Sequence, residues 1–148
     1  MFVGIAVLAG GTAVATWHES RATTGPDDRL AVARRATEIS ELLTTVTPQS
    51  HNEVLDRLRP LVVDGMAELI KAEVLDAISP DATRTGTVHA VGVPQIGDDT
   101  ARVITVIEQL PRPPDPHEDG EPSSLILVLS MIRHDGQWKL KAVAPATV

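Results

Sequence analysis

Apolar positions along the chain follow one period before residue 83 and another after it. Between residues 27 and 47 apolar side chains recur every three or four positions, which predicts an amphipathic helix that Pro48 ends. A second helical pattern runs over residues 50–78, with an internal break at Pro60. The first half of the domain is therefore predicted to consist of helices.

The second half of the chain has the pattern of antiparallel strands. Runs rich in β-branched residues are separated by turn residues, and Asp135-Gly136 is the strongest hairpin signal in the chain. The run LILVL at residues 125–129 is apolar on both faces, which predicts a central strand covered on both sides. Four strands are predicted over residues 85–93, 101–110, 124–134 and 138–143.

The predicted second and third strands are separated by a proline-rich, acidic connection. Residues 111–122 contain five prolines and four acidic residues, so we expect a long exposed loop outside the sheet. Because helices precede strands, the chain is predicted to form one α+β domain over residues 27–148, with the helices packed on a four-stranded antiparallel sheet.

The N-terminal segment is an uncharged stretch of 17 residues that ends at Trp17. Its length is at the lower limit for crossing a bilayer, and a tryptophan at its end suits the membrane interface. We predict a single-pass transmembrane helix over residues 1–18, followed by a linker over residues 19–26. A cleaved signal peptide, with Ala13-Val14-Ala15 as the cleavage pattern, and a buried core helix are the alternatives.

The orientation of this predicted anchor depends on which charges flank it. Arg21, Arg29, Arg34 and Arg35 follow the segment and no basic residue precedes it, which by itself places the domain in the cytoplasm. A basic tail upstream of Met1 would reverse the orientation. The missing basic residues lead us to expect that the protein begins upstream of Met1.

Composition excludes several functions and narrows others. A net charge of −7 disfavours nucleic acid as a partner, and the absence of cysteine excludes thiolate chemistry and disulfides. Aromatic residues make up only 2% of the chain, so few side chains are suited to stack on bases, sugars or flat cofactors. We predict no cofactor.

Few residues are candidates for a catalytic or metal-binding role, and we predict that the protein is not an enzyme. The histidines lack metal-ligand spacing, and the cluster His117-Glu118-Asp119 falls in the predicted exposed loop, so no metal site is predicted. No nucleophile or phosphate-binding motif occurs. Glu108, near the end of the predicted second strand, is the one acidic residue with an option to face inward, as a candidate pocket acid.

Three short motifs, together with the N-terminal segment, resemble the Mce-associated membrane proteins of actinobacteria over essentially the whole chain. They are TGTV at residues 85–88, ARV at residues 101–103 and DGQW at residues 135–138. The patterns T-G-x-V and D-G-x-W are also widespread among NTF2-like folds. The combination with the apolar segment carries the resemblance to the Mce-associated group.

This resemblance implies a curved sheet of the NTF2-like or cystatin-like kind and a domain outside the cytoplasmic membrane. It implies an accessory subunit that supports Mce lipid-import complexes, with Mce proteins or other envelope subunits and membrane lipid as partners and self-association as an option. Gly86 would allow a close backbone approach, Asp135 and Gly136 would form a turn, and Trp138 would cover the core. A VirB8-like secretion scaffold and an NTF2-like ligand-binding protein or enzyme, with its pocket between sheet and helices, remain alternatives.

Overall fold

The computed structural model of the protein describes residues 6–9, 13–16, 25–47, 50–76, 83–112 and 120–146. These residues form helices packed on one antiparallel sheet, as predicted for an α+β domain. The helical elements are α1 (Pro26–Thr44), α2 (His51–Leu58), a 3-10 turn (Arg59–Leu61) and α3 (Met66–Ile70), which continues as a π-helical turn (Lys71–Leu75).

The sheet has the strand order β2-β1-β3-β4-β5-β6. Its four long strands confirm the predicted antiparallel meander, although each extends beyond the predicted bounds. The strands are β1 (Ala6–Ala9), β2 (Ala13–Thr16), β3 (Thr83–Ile96), β4 (Thr100–Arg112), β5 (Ser123–His134) and β6 (Gln137–Pro145).

The segment predicted as a transmembrane helix over residues 1–18 contains the two short strands β1 and β2. They pair with each other, and β1 pairs with β3 through Leu8 opposite Val91 and Ala9 opposite Ala90. The sequence between the two strands includes Gly10-Gly11, a signal that suits a hairpin as well as a membrane segment. In the part of the chain that the structure describes, no helix has both the length and the apolar character to cross a membrane.

The predicted loop over residues 111–122 begins two residues later than expected, because Pro111 and Arg112 belong to β4. Arg84 pairs with Pro111, and Thr83 with Arg112. The pairing of β4 with β5 stops at Gln109, so Pro111 has a neighbouring strand on one side only. A proline, which lacks an N–H, is tolerated at such a position. Residues 113–119 lie outside the described part.

Irregular pairing bends the long strands. The register between β3 and β4 shifts between Val88 and Ala90 and again between Gly92 and Gln95, a stretch that includes Pro94. A third shift, between Ser130 and Met131, affects β5 and β6. Extra residues of this kind increase local twist and bend a strand.

The core lies between the helices and one face of the sheet, which we call the inner face. On β4, Val103, Thr105 and Ile107 are fully buried there, and Leu129 and Leu140 are fully buried on β5 and β6. Helix α1 contributes Val32, Ala36 and Ile39, all at 0% exposure. Apart from Trp138 and two methionines, the buried hydrophobic core is built from aliphatic residues, in line with the low aromatic content.

Polar contacts join both ends of α1 to the sheet. Near its first turn, Asp28 accepts a hydrogen bond from Arg133 on β5 at 2.7 Å, and Arg29 donates to the carbonyl of Val93 at 2.9 Å. Just after its last turn, the hydroxyl of Thr45 donates to the carbonyl of Gly86 at 3.2 Å and accepts from the Gly86 N–H at 3.1 Å. The helix is therefore fixed in both position and direction.

Candidate interaction surfaces

The space between α1 and the sheet is filled by side chains. Next to the aliphatic core, the hydroxyls of Ser40 and Thr105 hydrogen-bond to each other at 2.9 Å, and both residues are 0% exposed. Two buried hydroxyls that satisfy each other avoid the cost of an unpaired polar group. This pair links the C-terminal half of α1 to the middle of β4.

Glu108, the predicted pocket acid, lies on the sheet face opposite the helices, which we call the outer face. Its neighbour Ile107 is fully buried, and side chains alternate along a strand, so the inward option considered for Glu108 is not adopted. Its carboxylate is 44% exposed and lies 3.7 Å from Nε2 of His89, which is 53% exposed. Such an exposed pair contributes little to stability.

Gly86 lies where the end of α1 crosses β3. A Cβ placed on Gly86 would overlap Oγ1 of Thr44 and lie 2.5 Å from the Thr44 Cβ. The Thr44 hydroxyl cannot swing away freely, because it is buried and donates to the carbonyl of Ser40 at 2.7 Å. The absence of a side chain at Gly86 is what allows α1 to approach β3 this closely.

The motif at residues 135–138 forms the hairpin between β5 and β6 and joins it to α1. Asp135 and Gly136 have φ values of 52° and 74°, the two positive values of a type I′ turn. Trp138 is 5% exposed, and the guanidinium of Arg133, its cross-strand neighbour, lies 4.7 Å from the ring centroid. Because Arg133 also pairs with Asp28, the hairpin is fastened to the start of the helix.

No cluster that could hold a metal occurs among the residues that the structure describes. The one clustered set considered from the sequence, His117-Glu118-Asp119, lies outside the described residues. Nε2 of His51, at the start of α2, is buried without a hydrogen-bond partner in the described part.

One surface concavity lies between α1 and α2. It has a volume of about 470 Å³ and is lined by residues of both charges, including Arg34, Glu38, Glu53 and Arg57. Glu41 lies at its inner side and accepts a hydrogen bond from the backbone N–H of Val88 at 3.4 Å. A cleft with mixed charges suits a polar polypeptide better than an apolar ligand.

The second concavity is a shallow groove of about 1010 Å³ at one end of the sheet. Arg102 of β4, Val128 and Ser130 of β5, and Lys141 of β6 contribute to it. The outer face next to this groove is apolar, with Ile126 and Val128 of the run LILVL only partly buried. The prediction that this strand is covered on both sides is therefore wrong for the described residues, because only its inner face is covered.

Two of the contacts described above were not foreseen from the sequence. The pairs Asp28–Arg133 and Ser40–Thr105 join residues that are 105 and 65 positions apart. Nothing in the local pattern distinguishes these polar residues from others on α1, β4 or β5. Arg133 alone carried a signal, since it stands directly opposite Trp138 in the Asp-Gly hairpin.

Comparisons with known proteins agree on the fold. The crystal structure of CagV, a VirB8 homolog of T4SS from Helicobacter pylori strain 26695, matches with a TM-score of 0.66 and 9% identity over 80% of this chain and 98% of that chain. An Ntf2-like protein involved in plasmid conjugation matches with a TM-score of 0.53 and 9% identity over 90% of this chain. This second match spans half of that protein's length.

At this level of identity the likeness establishes the fold alone, which is the NTF2-like fold shared by VirB8 homologs. No protein-family model matches the sequence. A search of curated proteins also gave no match.

Proposed function

We propose that the protein is a non-enzymatic scaffold subunit of a membrane-associated complex in the cell envelope. The observation that carries this proposal is the likeness to a VirB8 homolog of T4SS over 98% of that chain. The match also covers 80% of this chain, and a domain of similar shape is suited to the same kind of task. Proteins with one fold can differ in function, so the partners have to be argued from other features.

The packed interior supports a scaffold more than a ligand carrier. An NTF2-like enzyme or carrier would use the space between the helices and the sheet, and here the Ser40–Thr105 pair and aliphatic side chains fill that space. Glu108, the acid considered for such a pocket, lies on the outer face. The candidate binding surfaces of the domain are the mixed-charge cleft between α1 and α2 and the outer face of the sheet.

Two envelope complexes are candidates for the assembly. The motifs at residues 85–88, 101–103 and 135–138 resemble those of Mce-associated proteins, which favours a role in an Mce-type lipid-import complex. The fold likeness to CagV favours a secretion or conjugation system. We place the Mce-type complex first because the combination of these motifs with the N-terminal apolar segment resembles the Mce-associated proteins.

We propose further that the domain lies outside the cytoplasmic membrane and that the apolar segment of residues 1–18 attaches it there. Among the residues that the structure describes, two residue pairs join the hairpin of β1 and β2 to β3, so the hairpin can separate while β3 to β6 stay paired. Within a bilayer the same uncharged segment would have to become helical to satisfy its backbone. Protease digestion of spheroplasts tests the location: cleavage of the domain without lysis agrees with it, and complete protection contradicts it.

Co-purification tests the function. The full chain, carrying a C-terminal tag, is extracted from its native membranes in mild detergent, and co-purifying proteins are quantified by mass spectrometry against a tag-only control. Enrichment of Mce proteins and their permease supports the first complex, and enrichment of secretion-channel subunits supports the second. Recovery of the chain without other envelope proteins would contradict the scaffold proposal.

A further inference from the structure

On the outer face of β4, a positive and a negative side chain lie at equal distances on either side of the centre of the strand. Its outward positions, read along the strand, are Arg102, Ile104, Val106 and Glu108, which alternate with the buried residues of the inner face. Thr105 marks the midpoint. Arg102 is exposed and makes no ion pair within the described residues, while the carboxylate of Glu108 lies 3.7 Å from Nε2 of the exposed His89.

The outward side chains of β5 are also arranged symmetrically about a central residue, but none of them is charged. Ser124, Ile126, Val128 and Ser130 are its outward positions, and Leu127, which pairs with Thr105, is the midpoint. The centre of the face therefore consists of two apolar rows, flanked by polar rows. One apolar row is Ala90, Val106 and Ile126, and the other is Gly92, Ile104, Val128 and Ala144.

A face with an apolar centre and opposite charges at its two ends can pack on a second copy of itself. If a two-fold axis lies in the interface, perpendicular to the strands and level with Thr105, β4 of one copy runs antiparallel to β4 of the other. Ile104 then lies opposite Val106, and Arg102 lies opposite Glu108, at both ends of the interface. Two sheets that pack face to face in this way form a core about 10 Å thick.

We propose that the outer face of the sheet is a self-association surface, where two copies of the chain pack with Arg102 of each opposite Glu108 of the other. This proposal is independent of the envelope role. The apolar centre supplies the driving force, since Ile104, Val106, Ile126 and Val128 remain partly exposed in the single chain. The two charge pairs at its ends fix the antiparallel direction, because a parallel arrangement would bring like charges together.

The size of the face predicts a reversible dimer. With strands about 4.8 Å apart and a rise of about 3.4 Å per residue, the area between the two polar rows is on the order of 400 Å² per copy. The two copies together would bury roughly 800 Å², which is below the roughly 1,200 Å² of standard stable interfaces. We therefore expect association that depends on concentration.

Charge reversal provides the test, by sedimentation velocity of the full chain in one detergent at roughly 10 µM to 1 mM. We expect the unaltered chain to dimerise, while R102E and E108R each associate at least tenfold more weakly. An equimolar mixture of these two variants should recover the dimer, because one copy then carries two acidic ends and the other two basic ends. The double variant R102E/E108R should also recover it.

Two controls separate the proposal from general effects of charge and folding. E73R makes the same charge change as E108R on the exposed surface of the π-helical turn and should leave the dimer unaffected. V128K places a charge in the apolar centre and should abolish association, with folding of every variant checked by circular dichroism. A monomer at all concentrations, a dimer that both single variants keep, or a mixture that fails to recover the dimer would each overturn the proposal.

Discussion

Replacing Gly86 with alanine should destabilise the domain, because it forces α1 away from β3. The added Cβ would overlap the Thr44 hydroxyl, which is buried and bonded to the carbonyl of Ser40. The helix cannot yield locally, since Thr45 is joined to both backbone groups of Gly86. Any movement that makes room for the methyl group therefore weakens these two hydrogen bonds as well.

The expected loss of unfolding free energy is about 3 kcal/mol. Overpacking in a core typically costs about 1–3 kcal/mol, and weakening hydrogen bonds adds up to about 1 kcal/mol for each. With an m-value of about 1.5 kcal/mol/M in urea, the midpoint of unfolding should fall by about 2 M. The loss is a large share of the total stability expected for a single domain, which is about 5–15 kcal/mol.

The assay is equilibrium unfolding in urea, with G97A as the matched control. A Cβ on Gly97 would meet only Thr100 atoms at 3.7 Å, an ordinary contact, so this variant should lie within about 0.5 kcal/mol of the unaltered chain. In a T44A background G86A should cost less, because the overlapping hydroxyl is gone. Equal stability of G86A and G97A would mean that the packing of α1 on β3 does not depend on the missing side chain at Gly86.

Three further changes test other parts of the fold. W138A should cost about 3–5 kcal/mol in urea unfolding, because it empties a buried site beneath Arg133; a loss below 1 kcal/mol would contradict this. S40A and T105V should each cost about 1–3 kcal/mol by leaving one buried hydroxyl unpaired, and the double variant should cost less than their sum; strict additivity would count against the pair. Deletion of residues 113–121 should preserve cooperative thermal unfolding, because both flanking strands are already paired outside the deleted segment.

The strands and their last turn could be predicted because their signals are local. The turn needs positive φ values at its two central residues, and the dipeptide Asp-Gly favours such values. Asp135 and Gly136 adopt them. Likewise, the change from helical to alternating periodicity near residue 83 coincides with the start of β3. Such features depend on neighbours in sequence, which a single chain displays directly.

The direction of Glu108 could not be predicted because β4 is apolar on both faces. Ile104 and Val106 are as hydrophobic as Val103 and Ile107, so alternation alone does not indicate which set faces the helices. The same ambiguity led to the expectation that the run at residues 125–129 is covered on both sides. Both faces of such a strand are apolar, and the helices cover only one of them. The sequence of the strand alone does not indicate which face the helices cover.

The strands in the N-terminal segment could not be predicted for a related reason. An uncharged apolar run with Gly10-Gly11 near its middle satisfies the length criterion for a membrane helix and the composition of a short hairpin. The pairing of Leu8 with Val91 depends on β3, some 80 positions away. The spacing of apolar residues within one segment does not reveal contacts between residues so far apart in the sequence, such as the contact between Asp28 and Arg133.

Quantitative co-purification of the tagged full chain from native membranes shows whether this domain is a scaffold within an envelope assembly. We expect the envelope subunits of one complex to be enriched with the chain in a fixed ratio. G97A should retain them, because a Cβ on Gly97 would make only ordinary contacts. Purification of the chain without any other envelope protein, from membranes that contain both candidate complexes, would mean that the domain is not such a scaffold.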